Sequence, residues 1–486
     1  MNKPLNLRLV CAAAAVACLD LAGVSAAAQQ PTADSAVHAR VDRIFAQWDH
    51  RDSPGCALGV YRDGRIAYER GYGSANLELA IPLTPQSVLD IGSTSKQFTA
   101  MSVLLLAGAG KFSLDDDVRK FIPELPDLGH RVTIRHLLTH TSGMRDYLGL
   151  WNLAGVDPGD VTTDKDALAL LVRQRELNFA PGDEWLYSNS GYFLASVIVE
   201  RASGMTLARF ARENIFVPLG MTHTRYNDDH MAIIPSRATA YAPRRPTPGP
   251  GLDAFATYMS NFEQTGDGGV QTSVDDLQRW DENFYTGTVG GTAALVAMQT
   301  PAMLNSGKAQ NYGLGLEMRM YRGLKSVSHS GAWAGYRAEL LRFPEQHLAV
   351  ACLCNLATIN PTRLAERTAE VYLGARMNGD SVPVVPTTAA QPPTAAAIAW
   401  SPGQTELERF AGAYYSAEID ARYDLRAENG RLVLYRRRAQ PAGLDPSGPG
   451  SFRTRGLLLR FSPDSARPAE FHVEAGRVRN LRFVRQ

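Results

Sequence analysis

The stretch Ser93-Thr94-Ser95-Lys96 is the only Ser-x-x-Lys in this chain of 486 residues, and a helix-forming apolar run continues from it to residue 107. A lysine three residues after a serine on a helix lies one turn away, beside the serine oxygen. A desolvated amine in that position can accept the hydroxyl proton, which makes Ser93 a candidate nucleophile. The alternative is an ordinary helix N-cap at Ser93 with a surface lysine at 96. Because no Gly-x-Ser-x-Gly occurs in the chain, the nucleophile elbow of α/β-hydrolase enzymes is excluded.

A second motif, Tyr187-Ser188-Asn189, lies in a loop-like stretch that leads into an apolar run over 192–199. A tyrosine near Lys96 can have its phenol pKa lowered by the cation and then act as a general base. Asn189 offers a donor and an acceptor to a substrate amide. Taken alone, the motif is better explained as a helix-entry loop with Ser and Asn caps.

The third motif, His329-Ser330-Gly331, follows a strand-like stretch and precedes Ala332. On an edge strand that faces a nucleophile, a glycine lets the substrate approach the backbone, and the next N–H can point at a developing oxyanion. His329 would then stand near the site as a hydrogen-bond donor or a partial cation. The three motifs together favour nucleophilic catalysis over the structural explanation of each.

The order of predicted elements indicates the fold class. Residues 55–73 have the pattern of a β-hairpin around Asp63-Gly64, and the pattern from about 88 to 230 is helical. Strand character returns over 325–355, before a closing helix over 359–376. Strands at both ends of a helical middle predict an α/β sandwich whose sheet is completed by the late strands.

The three motifs, in this order and at these separations, resemble those of the penicillin-recognising serine hydrolases, which include class C β-lactamases, DD-peptidases, D-aminopeptidases and related esterases. Supporting stretches similar to those of the family lie at 111–116, 134–143, 268–273 and 312–315. The resemblance covers about residues 35–376. It implies an α/β fold with a β-lactamase-like antiparallel sheet, flanked by helices, and an all-helical subdomain.

The resemblance also implies a role for each motif residue. Ser93 is expected to be the acyl-forming nucleophile, Lys96 its proton partner and Tyr187 the general base. The residues expected to bind substrate are Asn189, His329, Ser330, Gly331 and Ala332. The oxyanion hole would be formed by the backbone N–H groups of Ser93 and Ala332.

One departure from the family bears on the substrate. β-Lactamases usually have Lys-Thr-Gly where this chain has His329-Ser330-Gly331, and an imidazole binds a penicillin carboxylate less firmly than a fixed ammonium does. We therefore expect an exported serine hydrolase that forms an acyl-enzyme on Ser93 and acts on small D-amino-acyl peptides or esters. The alternatives are a β-lactamase, or a penicillin-binding sensor protein that does not turn over.

Composition along the chain predicts four segments. Residues 1–28 combine a short cationic start, an apolar run and a small-residue cleavage site, which is typical of a signal peptide and predicts a periplasmic or secreted protein. The catalytic domain is expected over 33–378, and a Pro-, Thr- and Ala-rich linker over 379–404. Short alternating strands over 405–486 predict a small antiparallel β-barrel or sandwich, an accessory domain of lipocalin-like kind.

Overall composition limits the partners. Lys and Arg total 50 against 49 Asp and Glu, so no electrostatic drive towards nucleic acid exists. No run of about 20 apolar residues follows residue 30, so no transmembrane segment is predicted in the mature chain. We expect a small-molecule or peptide substrate and no cofactor. His136 and His140 are four apart, but no Glu or third ligand accompanies them, so no metal site is predicted. The oligomeric state is not indicated by the sequence.

Three cysteines, Cys56, Cys352 and Cys354, remain after the predicted signal peptide. An odd number without a framework argues against a disulfide-stapled scaffold. Buried free thiols are the favoured prediction, and a bond from Cys56 to Cys352 or Cys354 is the alternative.

Overall fold

The computed structural model describes residues 33–245, 251–379, 400–462 and 467–486. The predicted signal peptide and most of the predicted linker lie outside these ranges. Among the helices within them, none is both long and apolar enough to cross a membrane.

The α-helices of the described ranges lie mainly in the middle of the first part of the chain, where six follow one another between residues 96 and 211 without an intervening strand. In chain order, they are α1 (Ala33–Phe45), α2 (Lys96–Gly108), α3 (Ile134–Leu138), α4 (Tyr147–Ala154), α5 (Asp164–Val172), α6 (Asn189–Ser203), α7 (Leu207–Ala211), α8 (Val274–Thr286), α9 (Gly291–Met298), α10 (Pro361–Leu373) and α11 (Gln404–Glu408).

The strands divide into those of the first 379 residues and those of the C-terminal part. The first group is β1 (Cys56–Arg62), β2 (Arg65–Tyr72), β3 (Ser74–Asn76), β4 (Ile81–Pro82), β5 (Leu89–Asp90), β6 (Arg225–Tyr226), β7 (Tyr241–Pro243), β8 (Phe255–Thr257), β9 (Val270–Thr272), β10 (Glu317–Tyr321), β11 (Leu324–Trp333), β12 (Tyr336–Phe343) and β13 (Leu348–Cys354). The second group is β14 (Gly412–Ser416), β15 (Ala421–Glu428), β16 (Arg431–Arg436), β17 (Ala442–Gly448), β18 (Ser451–Thr454), β19 (Leu457–Phe461), β20 (Glu470–Ala475) and β21 (Val478–Arg485).

A six-stranded antiparallel sheet, in the order β10-β11-β12-β13-β1-β2, forms the centre of the first part. Every residue of β13 is buried, because α10 and α1 cover one face of the sheet and α8 covers the other. A strand covered on both faces has no polar side, which explains the continuous apolar run that the sequence shows there. The predicted hairpin, late strands and closing helix are confirmed, as is the β-lactamase-like fold class.

The helical middle of the chain packs beside this sheet around α2 and α6. The first eleven residues of α6, from Asn189 to Val199, are all buried, and α6 contacts α2, α3 and α7. Gly191 allows α6 to approach α3 closely, because a Cβ atom there would lie 2.5 Å from the carbonyl oxygen of Leu137 in α3. This region carries two of the three sequence motifs, and β11 of the sheet carries the third.

The C-terminal strands β14–β21 form a closed antiparallel barrel, in which β14 pairs with β21 and completes the circle. Closure leaves no unpaired sheet edge and decides between the barrel and the sandwich that the sequence left open. Aromatic rings fill the interior; for example, the ring of Phe471 lies 5.0 Å from that of Phe483 and 4.9 Å from that of Phe461.

The barrel packs against the helical region through buried polar contacts. The side chain of Arg145, which is 0% exposed, pairs with Glu418 at 2.6 Å and donates to the carbonyl oxygens of Arg479 and Asn480. A guanidinium buried in this way needs all its partners, since an unpaired buried charge is very costly. The barrel therefore contacts the helical region through the start of β21 and the loop between β14 and β15.

The prediction of three buried free thiols is wrong for two of them. Cys56 and Cys354 lie directly opposite each other on the neighbouring antiparallel strands β1 and β13, and a disulfide joins them. Cys352 is buried and free. The sequence did not reveal the pair because 298 positions separate the two residues, and only the strand register brings them together.

We predict that this disulfide stabilises the folded chain by restricting the unfolded one. Replacing Cys56 and Cys354 together by alanine should lower the free energy of unfolding by about 5 kcal/mol, measured by urea denaturation, because the bond closes a long loop. Reduction of the unaltered protein should lower the unfolding midpoint similarly. An unchanged midpoint in both experiments would contradict the prediction.

Candidate active site

The nucleophile candidate lies in a tight turn between strand β5 and helix α2. Residues Gly92–Ser95 form a 3-10 turn, and α2 begins at Lys96 with Ser95 as its N-cap. The backbone N–H of Gly92 donates to Oδ1 of Asp90 at 2.7 Å, which secures the start of the turn. Ser93 is therefore not the N-cap of this helix, and its part-exposed side chain is available for chemistry.

Lys96 is fully buried, so the surface alternative for this residue is wrong. Its Nζ donates to Oγ of Ser93 at 3.1 Å, to Oδ1 of Asn189 at 2.9 Å and to the carbonyl oxygen of Asp267 at 2.6 Å. Burial lowers the pKa of Lys96 to about 7. The carboxylates of Asp267 and Asp146 act in the opposite direction, and the guanidinium of Arg477 acts with burial. A neutral amine is therefore accessible near physiological pH.

Tyr187 lies beside Lys96, but its protonation differs from the prediction. The ring centre is 4.9 Å from Nζ of Lys96, and the shielded hydroxyl has no hydrogen-bond partner of ordinary geometry among the described residues. Burial raises the pKa of Tyr187, and the Ser93 hydroxyl and the Arg477 guanidinium only partly oppose this. The expectation that a cation lowers the pKa of Tyr187 is wrong, because desolvation of the phenolate outweighs the nearby charge.

Asn189 begins helix α6, and the protein uses both ends of its side chain. Oδ1 accepts from Lys96, while Nδ2 donates to Oδ2 of Asp146 at 2.9 Å. The same oxygen of Asp146 accepts the backbone N–H of Asn189 at 2.7 Å. Asn189 thus holds the lysine in place, and its contact with a substrate amide stays a prediction.

The third motif lies on β11, directly against the turn Gly92–Ser95, which we call the nucleophile turn because it carries the candidate nucleophile. Oγ1 of Thr94 donates to the carbonyl oxygen of His329 at 3.0 Å. A Cβ atom on Gly331 would lie 1.8 Å from the carbonyl oxygen of Ile91, so only glycine permits this approach. A Cβ atom on Gly92 would lie 2.7 Å from the backbone nitrogen of Ala332, which shows how closely the turn and the strand meet.

The remaining residues of the third motif have different environments. His329 is buried, and its two ring nitrogens contact the Tyr312 hydroxyl at 3.0 Å and the Ser330 carbonyl oxygen at 2.7 Å. Burial, supported by the charge of Lys96, lowers the pKa of His329 to about 3. His329 is consequently neutral, and the expectation of a partial cation is wrong. The side chains of Ser330 and Ala332 are exposed on the same strand.

Sequence analysis did not identify His140 as the residue that packs against Tyr187 and binds the backbone on either side of it. Nδ1 of His140 accepts a hydrogen bond from the backbone N–H of Ser188 at 3.2 Å. The carbonyl oxygen of His140 accepts one from the backbone N–H of Leu186 at 3.0 Å. Its ring centre lies 4.2 Å from that of Tyr187. His140 therefore holds both flanks of the tyrosine. The stretch 134–143 indicated this segment, but not this role.

Two aromatic residues near the motifs, Tyr147 and Trp333, differ in position. Tyr147 is buried, and its hydroxyl donates to Asp267 at 3.0 Å, so it belongs to the core beneath the site. Trp333 is part-exposed and packs against Phe262. Asp146, Asp267 and Arg477 were not predicted, since no local pattern marks them.

The comparisons with known proteins agree with this geometry. A profile of the Beta-lactamase family matches residues 41–375, and the chain belongs to that family. Penicillin-binding protein 4* of Bacillus subtilis (strain 168) is 34% identical over 308 residues, which are 60% of this chain and 66% of that protein. A D-aminopeptidase of Gluconobacter oxydans (strain 621H) is 30% identical over 343 residues, or 70% of this chain and 62% of the relative. The match thus spans less than two thirds of the length of these relatives. The predicted family resemblance is confirmed.

A solved structure extends the likeness to the C-terminal part. The octameric penicillin-binding protein homologue from Pyrococcus abyssi superimposes with a TM-score of 0.62 and 22% identity, over 93% of this chain and 100% of that one. At this identity, the likeness concerns the fold.

We predict that Gly331→Ala reduces kcat/KM for ester hydrolysis by about 100-fold, because the new methyl group separates the strand from the nucleophile turn and misplaces the oxyanion donor of residue 332. Gly108→Ala is the matched control, since a Cβ atom there meets nothing within 4 Å. Near-normal kinetics of Gly331→Ala would contradict this geometry.

We predict that kcat/KM for an uncharged ester rises with pH through about 7 and then levels, because Lys96 accepts a proton only when its amine is neutral. Lys96→Arg stays protonated throughout and should lose about 10²–10⁴-fold in activity. Lys111→Arg, an exposed lysine, is the control. A profile without a rise between pH 6 and 8, measured with the unaltered protein, would exclude Lys96 as the base.

Proposed function

We propose that this chain is an exported serine hydrolase that acts through an acyl-enzyme on Ser93, with small D-amino-acyl peptides or esters as substrates. The observation that carries the proposal is the buried Lys96 amine, 3.1 Å from the Ser93 hydroxyl, with a pKa lowered to about 7. An amine that is neutral at working pH and hydrogen-bonded to a hydroxyl is a competent general base.

The proposed acylation follows from these positions. Lys96 takes the proton of Ser93 as Oγ attacks the substrate carbonyl carbon. The backbone N–H groups of Ser93 and Ala332 stabilise the oxyanion, each by about 3 kcal/mol. The proton then passes to the leaving group, and an ester on Ser93 remains. Deacylation repeats these steps, with water as the nucleophile.

Tyr187 is assigned a different part in this cycle from the one the family resemblance implies. Because burial raises the pKa of its phenol, Tyr187 carries its proton at neutral pH. Its shielded hydroxyl interacts with Ser93, and its ring centre is 4.9 Å from the Lys96 amine. We assign to this hydroxyl the relay of the proton from Lys96 to the leaving group. Lys96 is thus the proton acceptor, and Tyr187 is the relay.

The substrate class is supported by the relatives and by the third motif. Relatives of this chain include D-aminopeptidases and a penicillin-binding protein. His329 is neutral and cannot provide the fixed positive charge that lysine gives β-lactamases. We therefore rank peptide and ester hydrolysis above β-lactam hydrolysis.

Export is supported by chemistry that the described residues carry. The Cys56–Cys354 disulfide is typical of proteins in an oxidising compartment. The predicted signal peptide over 1–28 would deliver the chain to the periplasm or the exterior.

The proposal predicts that a fluorophosphonate adds once to the unaltered protein, as seen by intact-mass spectrometry, and does not add to Ser93→Ala. Multiple turnover should then be measured on D-amino-acid amides, D-peptides, simple esters and nitrocefin. Labelling without turnover on any of them would favour the non-turnover penicillin-binding alternative. An absence of labelling on the folded protein would contradict the proposed function.

A further inference from the structure

Arg477 brings a positive charge from the C-terminal barrel to the active site. The residue lies in the turn between β20 and β21, and its guanidinium carbon is 4.5 Å from the ring centre of Tyr187. It is also close enough to Lys96 to influence the pKa of that amine. A residue of the accessory domain therefore lies beside the catalytic groups.

The turn that carries Arg477 is held firmly in place. The carbonyl oxygen of Arg477 accepts hydrogen bonds from the backbone N–H of Asp146 at 3.3 Å and from Nδ2 of Asn178 at 2.9 Å. The backbone N–H of Arg479 donates to Oδ1 of the same asparagine at 2.8 Å. Three hydrogen bonds to Asp146 and Asn178 thus hold the backbone around Arg477 against the first part of the chain.

The guanidinium retains unused hydrogen-bonding capacity. Its closest carboxylate oxygen in the described residues, Oδ2 of Asp146, is 3.7 Å away, which is beyond hydrogen-bonding distance. That carboxylate is already occupied, because it accepts from both nitrogens of Asn189 and from the backbone N–H of Gly149. The Arg477 side chain is 35% exposed, so its N–H groups can reach a ligand.

The charge of Arg477 also differs in kind from the others at the site. Lys96 loses its proton near pH 7, and His329 is neutral. An arginine stays protonated under all these conditions and presents a planar fork that matches a carboxylate. Arg477 thus places a guanidinium group near Ser93 and Lys96, where the third motif lacks the lysine that β-lactamases have.

We propose that Arg477 binds a carboxylate of the substrate close to the scissile bond, so that the barrel confers a preference for anionic peptides or esters over neutral ones. This inference rests on the proposed function and specifies its substrate class further. The covalent steps are those already given for Ser93; Arg477 contributes through ionic hydrogen bonds and forms no bond with the acyl group.

The test compares substrates that differ only in charge. One pair, N-acetyl-D-alanyl-D-lactate and its methyl ester, places the carboxylate on the leaving side. A second pair, the p-nitroanilides of N-succinyl-D-alanine and N-acetyl-D-alanine, places it on the acyl side. We expect the unaltered protein to prefer the charged member of at least one pair. Arg477→Gln should reduce that charged-to-neutral ratio of kcat/KM about 10-fold, mainly through KM, and Arg477→Lys should give an intermediate ratio.

Arg479→Gln is the matched control, because Arg479 lies two residues further on and pairs with Glu184 at 3.1 Å. It should keep the ratio of the unaltered protein. Thermal unfolding of all three variants shows whether each is folded. If Arg477→Gln is misfolded, the charged-to-neutral ratio of kcat/KM measured for Arg477→Lys decides the test.

The outcomes separate this inference from the proposed function. If Ser93 reacts with the fluorophosphonate but the charged-to-neutral ratio is the same in the Arg477 variants, the inference is overturned and the proposed function stands. If the unaltered protein prefers the neutral member of both pairs, the inference is likewise overturned and the proposed function stands. If Ser93 does not react, the proposed function fails, and the inference fails with it.

Discussion

The burial of the Lys96 amine is the constraint on which the rest of the site depends. A buried amine needs hydrogen-bond acceptors, and the three that Lys96 finds come from separate segments: Ser93 in the nucleophile turn, Asn189 at the start of α6 and the carbonyl of Asp267 before β9. All three segments must be in place before the amine is satisfied. The same desolvation lowers its pKa to about 7 and makes it a base. The burial of Lys96 thus both joins these three segments and lowers the pKa of its amine.

Asp146 extends this arrangement to the C-terminal barrel. Its carboxylate holds Asn189, which holds Lys96, and it lies 3.7 Å from the guanidinium of Arg477. Beside it, the buried pair of Arg145 and Glu418 joins the helical region to the barrel. Breaking a buried pair of this kind typically costs about 3–5 kcal/mol. The C-terminal barrel therefore contributes both to the cohesion of the molecule and to the charge around Ser93 and Lys96.

Much of the fold, and the contact between Ser93 and Lys96, followed from sequence patterns. The one-turn spacing of Ser93 and Lys96 predicted their contact. The glycine of the third motif was expected to let substrate approach the backbone, and its close approach to the backbone of Ile91 was not predicted. The ionisation of Tyr187 and His329 was predicted wrongly, because desolvation of the charged form, which raises the pKa of Tyr187 and lowers that of His329, was not considered. Desolvation depends on atoms from many segments, and no short motif reports it.

The sequence by itself determined the local features of this protein: the hairpin at Asp63-Gly64, the helix that starts at Lys96, the late strands and the ordered motifs of its family. Such features depend on backbone preferences and on spacings of a few residues, which are readable along the chain. Only the tertiary structure decided that Cys56 pairs with Cys354, and that Arg477 lies over Tyr187. Those contacts join positions hundreds of residues apart, and they arise from strand register and domain packing, which no local pattern encodes.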